Sequence, residues 1–106
     1  MSKEQLLAII GDFKYEKDDL ISSTYKLLTC DVRDAEIIKS KLDTYEVNRS
    51  LPTLLITECL MIYMSGADSF AVYTWVKDYF IGDLASVNYE MINPDDQFGK
   101  MMVNNL

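Results

Sequence analysis

The sequence contains no histidine, so the commonest general base and a frequent metal ligand are both missing. Cysteine is limited to Cys30 and Cys59, each in an apolar run, which argues against a close Cys pair for a metal and suits two thiols in a reducing, cytoplasmic setting. The four glycines, Gly11, Gly66, Gly82 and Gly99, are scattered and form no Gly-x-Gly loop after an apolar strand. No apolar stretch approaches the ~18 residues of a membrane span. Met1 to Gln5 lack the pattern of a signal peptide. Positive charge is scarce. Ten Lys and Arg against seventeen Asp and Glu leave a net charge of −7, which argues against nucleic acid as a partner.

What is present fits one small globular domain. In 106 residues, 49% are apolar and 25% charged, too apolar for disorder. Leu6, Leu7, Ile9 and Ile10 make a short helical stretch before Gly11, and Asp12 to Asp19 read as a charged loop. Tyr25 to Cys30 read as a strand. Asp34 is placed to cap a helix running to about Tyr45, with Ile38, Leu42 and Tyr45 as its apolar stripe.

The chain then reaches its most apolar stretch, Leu51 to Met64. Pro52 suits a strand's first position, and Leu54, Leu55 and Ile56 predict a strand covered on both faces, as in a parallel sheet. Glu58 interrupts this run where ligands sit in such sheets, so a partnered, at least half-buried carboxylate is expected. Ser65-x-x-Asp68 is a capping box opening a helix that packs through Val72, Trp75, Val76, Tyr79 and Phe80, with Gly82 at its exit. Ala85 to Met91 alternate with a period of two and one polar face. Asn93-Pro94-Asp95-Asp96 opens a last helix, on which Phe98, Met102 and Leu106 share a face. Strand and helix alternate regularly, which predicts an α/β, doubly wound parallel sheet.

Several blocks go beyond this pattern. Leu51 to Met64 closely resembles the central segment of the leucine carboxyl methyltransferases, which modify the catalytic subunit of protein phosphatase 2A. In the same order, Cys30-Asp31-Val32-Arg33-Asp34 resembles the family's Ala-Asp-Leu-Arg-Asp, and Val87-Asn88-Tyr89-Glu90 its Ile-Asn-Tyr-Glu. Asp96-Gln97-Phe98-Gly99 resembles Asp-Arg-Phe-Gly, and Met102 to Leu106 resembles Met-Ile-Glu-Asn-Leu. The resemblance covers Tyr25 to Leu106 and leaves the first twenty residues out.

It implies a Rossmann-like fold, S-adenosyl-L-methionine as cofactor, and methyl esterification of a C-terminal leucine on the phosphatase. By position, Asp31 matches the acid that accepts from the adenine amino group, the N–H of Val32 a donor to the adjacent ring nitrogen, and Glu58 a cofactor-contacting glutamate. Tyr63 either borders the implied methyl-transfer site or serves as a packing residue. Each acid also has a plainer reading: Asp31 as a helix-start acid, Glu58 as a solvated strand-end acid. The family's glycine-rich turn, ribose-binding acid and N-terminal arginine fall before residue 1, and its substrate cap after Leu106. The chain is therefore expected to be an internal piece of one domain, inactive alone. A small-molecule O-methyltransferase of similar fold and a non-catalytic phosphatase-interaction module are the alternatives.

Overall fold

A computed structural model describes residues 1–91 and 95–105, apart from the Met102 side chain. The chain divides into two compact units, Met1–Val47 and Asn48–Leu106.

The first unit opens with α1 (Lys3–Ile10). Ser2 caps it by accepting from the Gln5 N–H at 3.1 Å, and the Gln5 side chain accepts from the Ser2 N–H at 2.8 Å. Gly11, at φ 75°, ends the helix in the left-handed region that glycine enters without cost. The stretch expected as loop is a hairpin: β1 (Phe13–Glu16) pairs antiparallel with β2 (Asp19–Ser22) through a turn with Lys17 at φ 55°. Its charged residues hide the signal, because no Asn-Gly or Asp-Gly marks the turn.

The strand expected over Tyr25–Cys30 shrinks to β3 (Lys26–Leu27), antiparallel to β2 with Leu20 opposite Leu27. It therefore belongs to a three-stranded meander and not to the parallel sheet. The Ser22 Oγ accepts from the Thr24 and Tyr25 N–H groups and folds the chain into a tight corner before β3, while after it the Thr29 N–H leaves the ladder for Asp19 Oδ1. The expected helix is α2 (Ala35–Thr44), capped by Asp34, whose Oδ1 accepts from the Ile37 N–H at 3.3 Å.

The second unit is built on one strand–helix–strand motif. β4 (Thr53–Glu58) runs parallel to β5 (Leu84–Tyr89), with Ile56 beside Val87 and Glu58 beside Tyr89. Between them lie a 3-10 turn (Met61–Tyr63) and α3 (Gly66–Tyr79), capped as expected by Ser65. This is a mixed α/β arrangement in keeping with part of a Rossmann-like methyltransferase sheet. The apolar core is supplied by α3, whose Val72, Trp75, Val76 and Tyr79 are buried, as their helical spacing predicts.

Two expectations need correction. β4 is not covered on both faces: Leu54 and Ile56 are 55% and 67% exposed, and across the pair Val87 and Tyr89 are exposed too. The helix side carries Leu55, which with Val76, Phe80 and Leu84 lines a cavity of about 460 Å³. Gly82 does not close the helix in a left-handed turn, because α3 ends at Phe80 in an extended conformation. Gly82 instead permits close passage of two backbones. A Cβ there would strike the Ser50 carbonyl and lie 2.9 Å from that of Leu51.

The last helix is α4 (Gln97–Asn104), with Asp96 accepting from the Gly99 N–H at 2.6 Å. Asn93, Pro94, Leu106 and the Met102 side chain, invoked for its start and its shared face, lie outside the described residues, and Phe98 is exposed.

Candidate functional site

The carboxyl ends of β4 and β5 bring together the polar groups of the second unit. Thr57, buried one residue before the end, donates to Asn88 Oδ1 at 2.9 Å, so the two strands are tied by side chains as well as by their ladder. Glu58 follows on the exposed face, contrary to the half-buried, partnered carboxylate expected there. It forms no hydrogen bond or ion pair among the described residues, and its two oxygens are open to an incoming donor.

Directly after it the chain bends. Cys59 has φ 48°, an uncommon conformation for a residue with a Cβ, and its N–H donates to the Tyr89 carbonyl at 2.8 Å. The Met61 N–H donates to Glu90 Oε1 at 3.1 Å, and Ser69 Oγ reaches the Met61 carbonyl at 3.4 Å. Tyr63, at the end of the turn, is 66% exposed.

Asp31 and Val32 belong to the first unit and lie between β3 and α2. Asp31 is exposed but engaged. Its Oδ1 accepts from the Arg33 N–H at 2.9 Å and from Arg33 Nε at 3.0 Å, and its Oδ2 from Arg33 Nη2 at 2.7 Å. That fork lowers the Asp31 pKa to about 2. Its carbonyl accepts from the Asp34 N–H at 2.9 Å, closing the turn into α2. The local contacts of Asp31 are therefore those of a helix-entry acid, and a ligand donor would share the carboxylate with Arg33.

Two sets of residues escaped the sequence reading. Asp19, assigned to a loop, is 2% exposed and accepts from the Thr29 N–H at 2.7 Å, Lys41 Nζ at 2.9 Å and Tyr45 Oη at 2.8 Å. Hydrogen bonds from Thr29, then Lys41 and Tyr45, lower its pKa to about 2, and the hydrogen bond that Tyr45 donates to it raises that of Tyr45 to about 12. Glu90 is the other, a strand-end residue whose Oε2 is shielded from solvent without a partner among the described residues. Neither carried a local signal, because both depend on pairing across the chain. Burial pushes the Cys30 thiol pKa up, and Cys30 and Cys59 are both free. Among the described residues no group of three or more His, Cys, Asp or Glu is gathered for a metal.

No family model matches the chain. Individual proteins do. Leucine carboxyl methyltransferase 1 of Rattus norvegicus is 39% identical over 87 residues, 82% of this chain and 26% of that protein. The leucine carboxyl methyltransferase 1 homolog of Arabidopsis thaliana is 35% identical over 91 residues, covering 86% and 27%. The tRNA wybutosine-synthesizing protein 4 of Rattus norvegicus is 30% identical over 82 residues, covering 77% and 12%. With its parallel strand–helix–strand unit, the chain is thus an α/β relative of methyltransferases. Within that class it is a homologue of the leucine carboxyl methyltransferases, and it spans about a quarter of the length of the curated relatives of that name. No helix among the described residues is long and apolar enough to cross a membrane.

Proposed function

We propose that this chain is part of an S-adenosyl-L-methionine-dependent O-methyltransferase that esterifies the C-terminal leucine of the protein phosphatase 2A catalytic subunit in the cytoplasm. The observation that carries the proposal is the 39% identity to a leucine carboxyl methyltransferase across four-fifths of the chain. The open Glu58 carboxylate at the end of a parallel strand supports it, because that is where α/β sheets receive ligands.

The bound cofactor would supply an electrophilic methyl group on a sulfonium. The attacking group is a carboxylate already, so a chain without histidine suffices and rate comes from alignment. Glu58 offers acceptor oxygens to the donors of the cofactor, and its lack of competing partners among the described residues suits that role. Asp31 and the Val32 N–H would hold the adenine edge, Asp31 sharing its oxygens with Arg33.

Two arms test this. Residues 1–106 alone are expected to transfer no labelled methyl group to the phosphatase subunit, since the parallel sheet has two strands and lacks a glycine loop. The rat enzyme carrying this chain's residues in place of its matched segment is expected to methylate the phosphatase, and to lose that activity when the terminal leucine is removed. An exchanged enzyme that folds but ignores the phosphatase overturns the proposal.

A tRNA-directed methyltransferase is the second reading, favoured by the 30% identity to the wybutosine-synthesizing protein. The net charge of −7 weighs against it, because RNA contact needs a basic surface.

A further inference from the structure

The turn after Glu58 is tightly constrained. A left-handed Cys59 persists only where its surroundings impose that geometry. The end of β5 imposes it twice, through the Tyr89 carbonyl on the Cys59 N–H and through Glu90 Oε1 on the Met61 N–H. The longer Ser69 contact holds the Met61 carbonyl from α3. Among the described residues, only the Glu90 bond joins the turn to the neighbouring strand by a side chain.

That bond is part-buried and its other carboxylate oxygen, Oε2, is shielded from solvent, and shielding strengthens a hydrogen bond. An amide would hold Met61 equally well, with an oxygen for the N–H and no charge to desolvate. The negative charge of Glu90 is thus dispensable to the clamp, whereas its reach is not.

From this clamp we infer that Glu90 is a positioning residue: it fixes the Cys59–Met61 turn and thereby sets where the Glu58 carboxylate meets its ligand. The inference rests on the proposed role of Glu58 as a cofactor contact.

Amide hydrogen exchange on residues 1–106 reads the clamp directly. Glu90→Ala is expected to speed exchange at Met61 by about tenfold, the scale of one lost hydrogen bond, and Glu90→Gln to restore it. The ligand arm uses the segment-exchanged rat enzyme and S-adenosylhomocysteine binding by calorimetry. There Glu90→Ala is expected to weaken binding about tenfold, Glu90→Gln to leave it unchanged, and Glu90→Ala with Glu58→Gln to lose less than the product of the single losses.

Unchanged Met61 exchange overturns the clamp. Faster exchange with unaltered affinity, or losses that multiply, overturns the positioning role. Failure of the unsubstituted exchanged enzyme to bind overturns the role of Glu58 and the positioning role with it, while Met61 exchange still decides the clamp.

Discussion

The two units are stabilised by opposite means. Met1–Val47 has few buried apolar side chains, Ile10 and Leu20, and is knotted around a charge. Asp19 gathers Thr29, Lys41 and Tyr45, so one carboxylate fastens β2, the chain after β3, and α2 together. Asn48–Leu106 buries the apolar face of one helix and carries the Glu58 and Glu90 carboxylates at its strand ends. A polar knot is specific but unforgiving, because removing one member strands the others in a dry place. A helix face on a sheet fails gradually, one side chain at a time.

The largest effect is expected at the knot. Asp19→Ala leaves the Lys41 ammonium, the Tyr45 hydroxyl and the Thr29 N–H without their acceptor. The hydrogen-exchange protection of residues 13–45 should collapse while that of α3 persists. The same knot sets the pH limits of the first unit. Asp19 titrates near 2 when folded against an ordinary 3.8, so its stabilisation is complete above about pH 4 and disappears as pH falls toward 2. Tyr45 is raised from 10.0 to about 12, so its share is complete below pH 10 and is lost as pH climbs toward 12. Circular dichroism on the wild type and on Tyr45→Phe separates the two edges: the alkaline loss should vanish in Tyr45→Phe and the acid loss should stay.

In the second unit the counterpart is Gly82→Ala, where an added Cβ meets two backbone carbonyls that are part of the entry to β4. The Ile81 and Gly82 N–H groups both donate to the Arg49 carbonyl, and the Thr53 N–H to that of Asp83, so neither strand can retreat freely. A loss of about 3 kcal/mol is expected, the upper end for overpacking. Urea unfolding monitored at Trp75 measures it.

These positions also show what could be read from residues alone. Local rules worked wherever the physics was local: the Asp34 and Ser65 caps, and the buried Val72, Trp75, Val76 and Tyr79 of α3, follow from neighbours three or four residues apart. The hairpin of β1 and β2 and the role of Asp19 depend on partners up to 26 residues away and show no turn signature. Gly82 was legible as a special residue but not its reason, because the carbonyls it admits come from Ser50 and Leu51. Asp31 and Val32 stood out through family resemblance, whereas Glu58 already stood out as a lone carboxylate at the end of an apolar run.

Ligand-directed effects come next. In the segment-exchanged enzyme, Glu58→Gln should weaken S-adenosylhomocysteine binding by ~1–3 kcal/mol, the scale of a charge-assisted hydrogen bond. Unchanged affinity in calorimetry would remove Glu58 from the cofactor site. Asp31→Ala should raise the Michaelis constant for S-adenosylmethionine more than it lowers the turnover number, since an adenine contact acts on binding. Equal falls in turnover and in catalytic efficiency would assign Asp31 to the transition state instead.

The smallest effect is expected on the face of β4 that was predicted to be covered. Ile56 is 67% exposed and flanked by the exposed Leu54, Val87 and Tyr89. Thr keeps the β-branch that suits a strand and puts a hydroxyl in place of the ethyl arm. With water against that face, Ile56→Thr shifts stability by no more than about 0.5 kcal/mol. Denaturation at two protein concentrations makes the result decisive. A small, concentration-independent change fits the solvated face. A loss above about 1.5 kcal/mol that grows with concentration would mean that a second copy covers it, because only at a buried site does exchanging the ethyl arm for a hydroxyl cost that much. In that event the contrast between the units narrows, since the second would owe its stability to association as well as to α3.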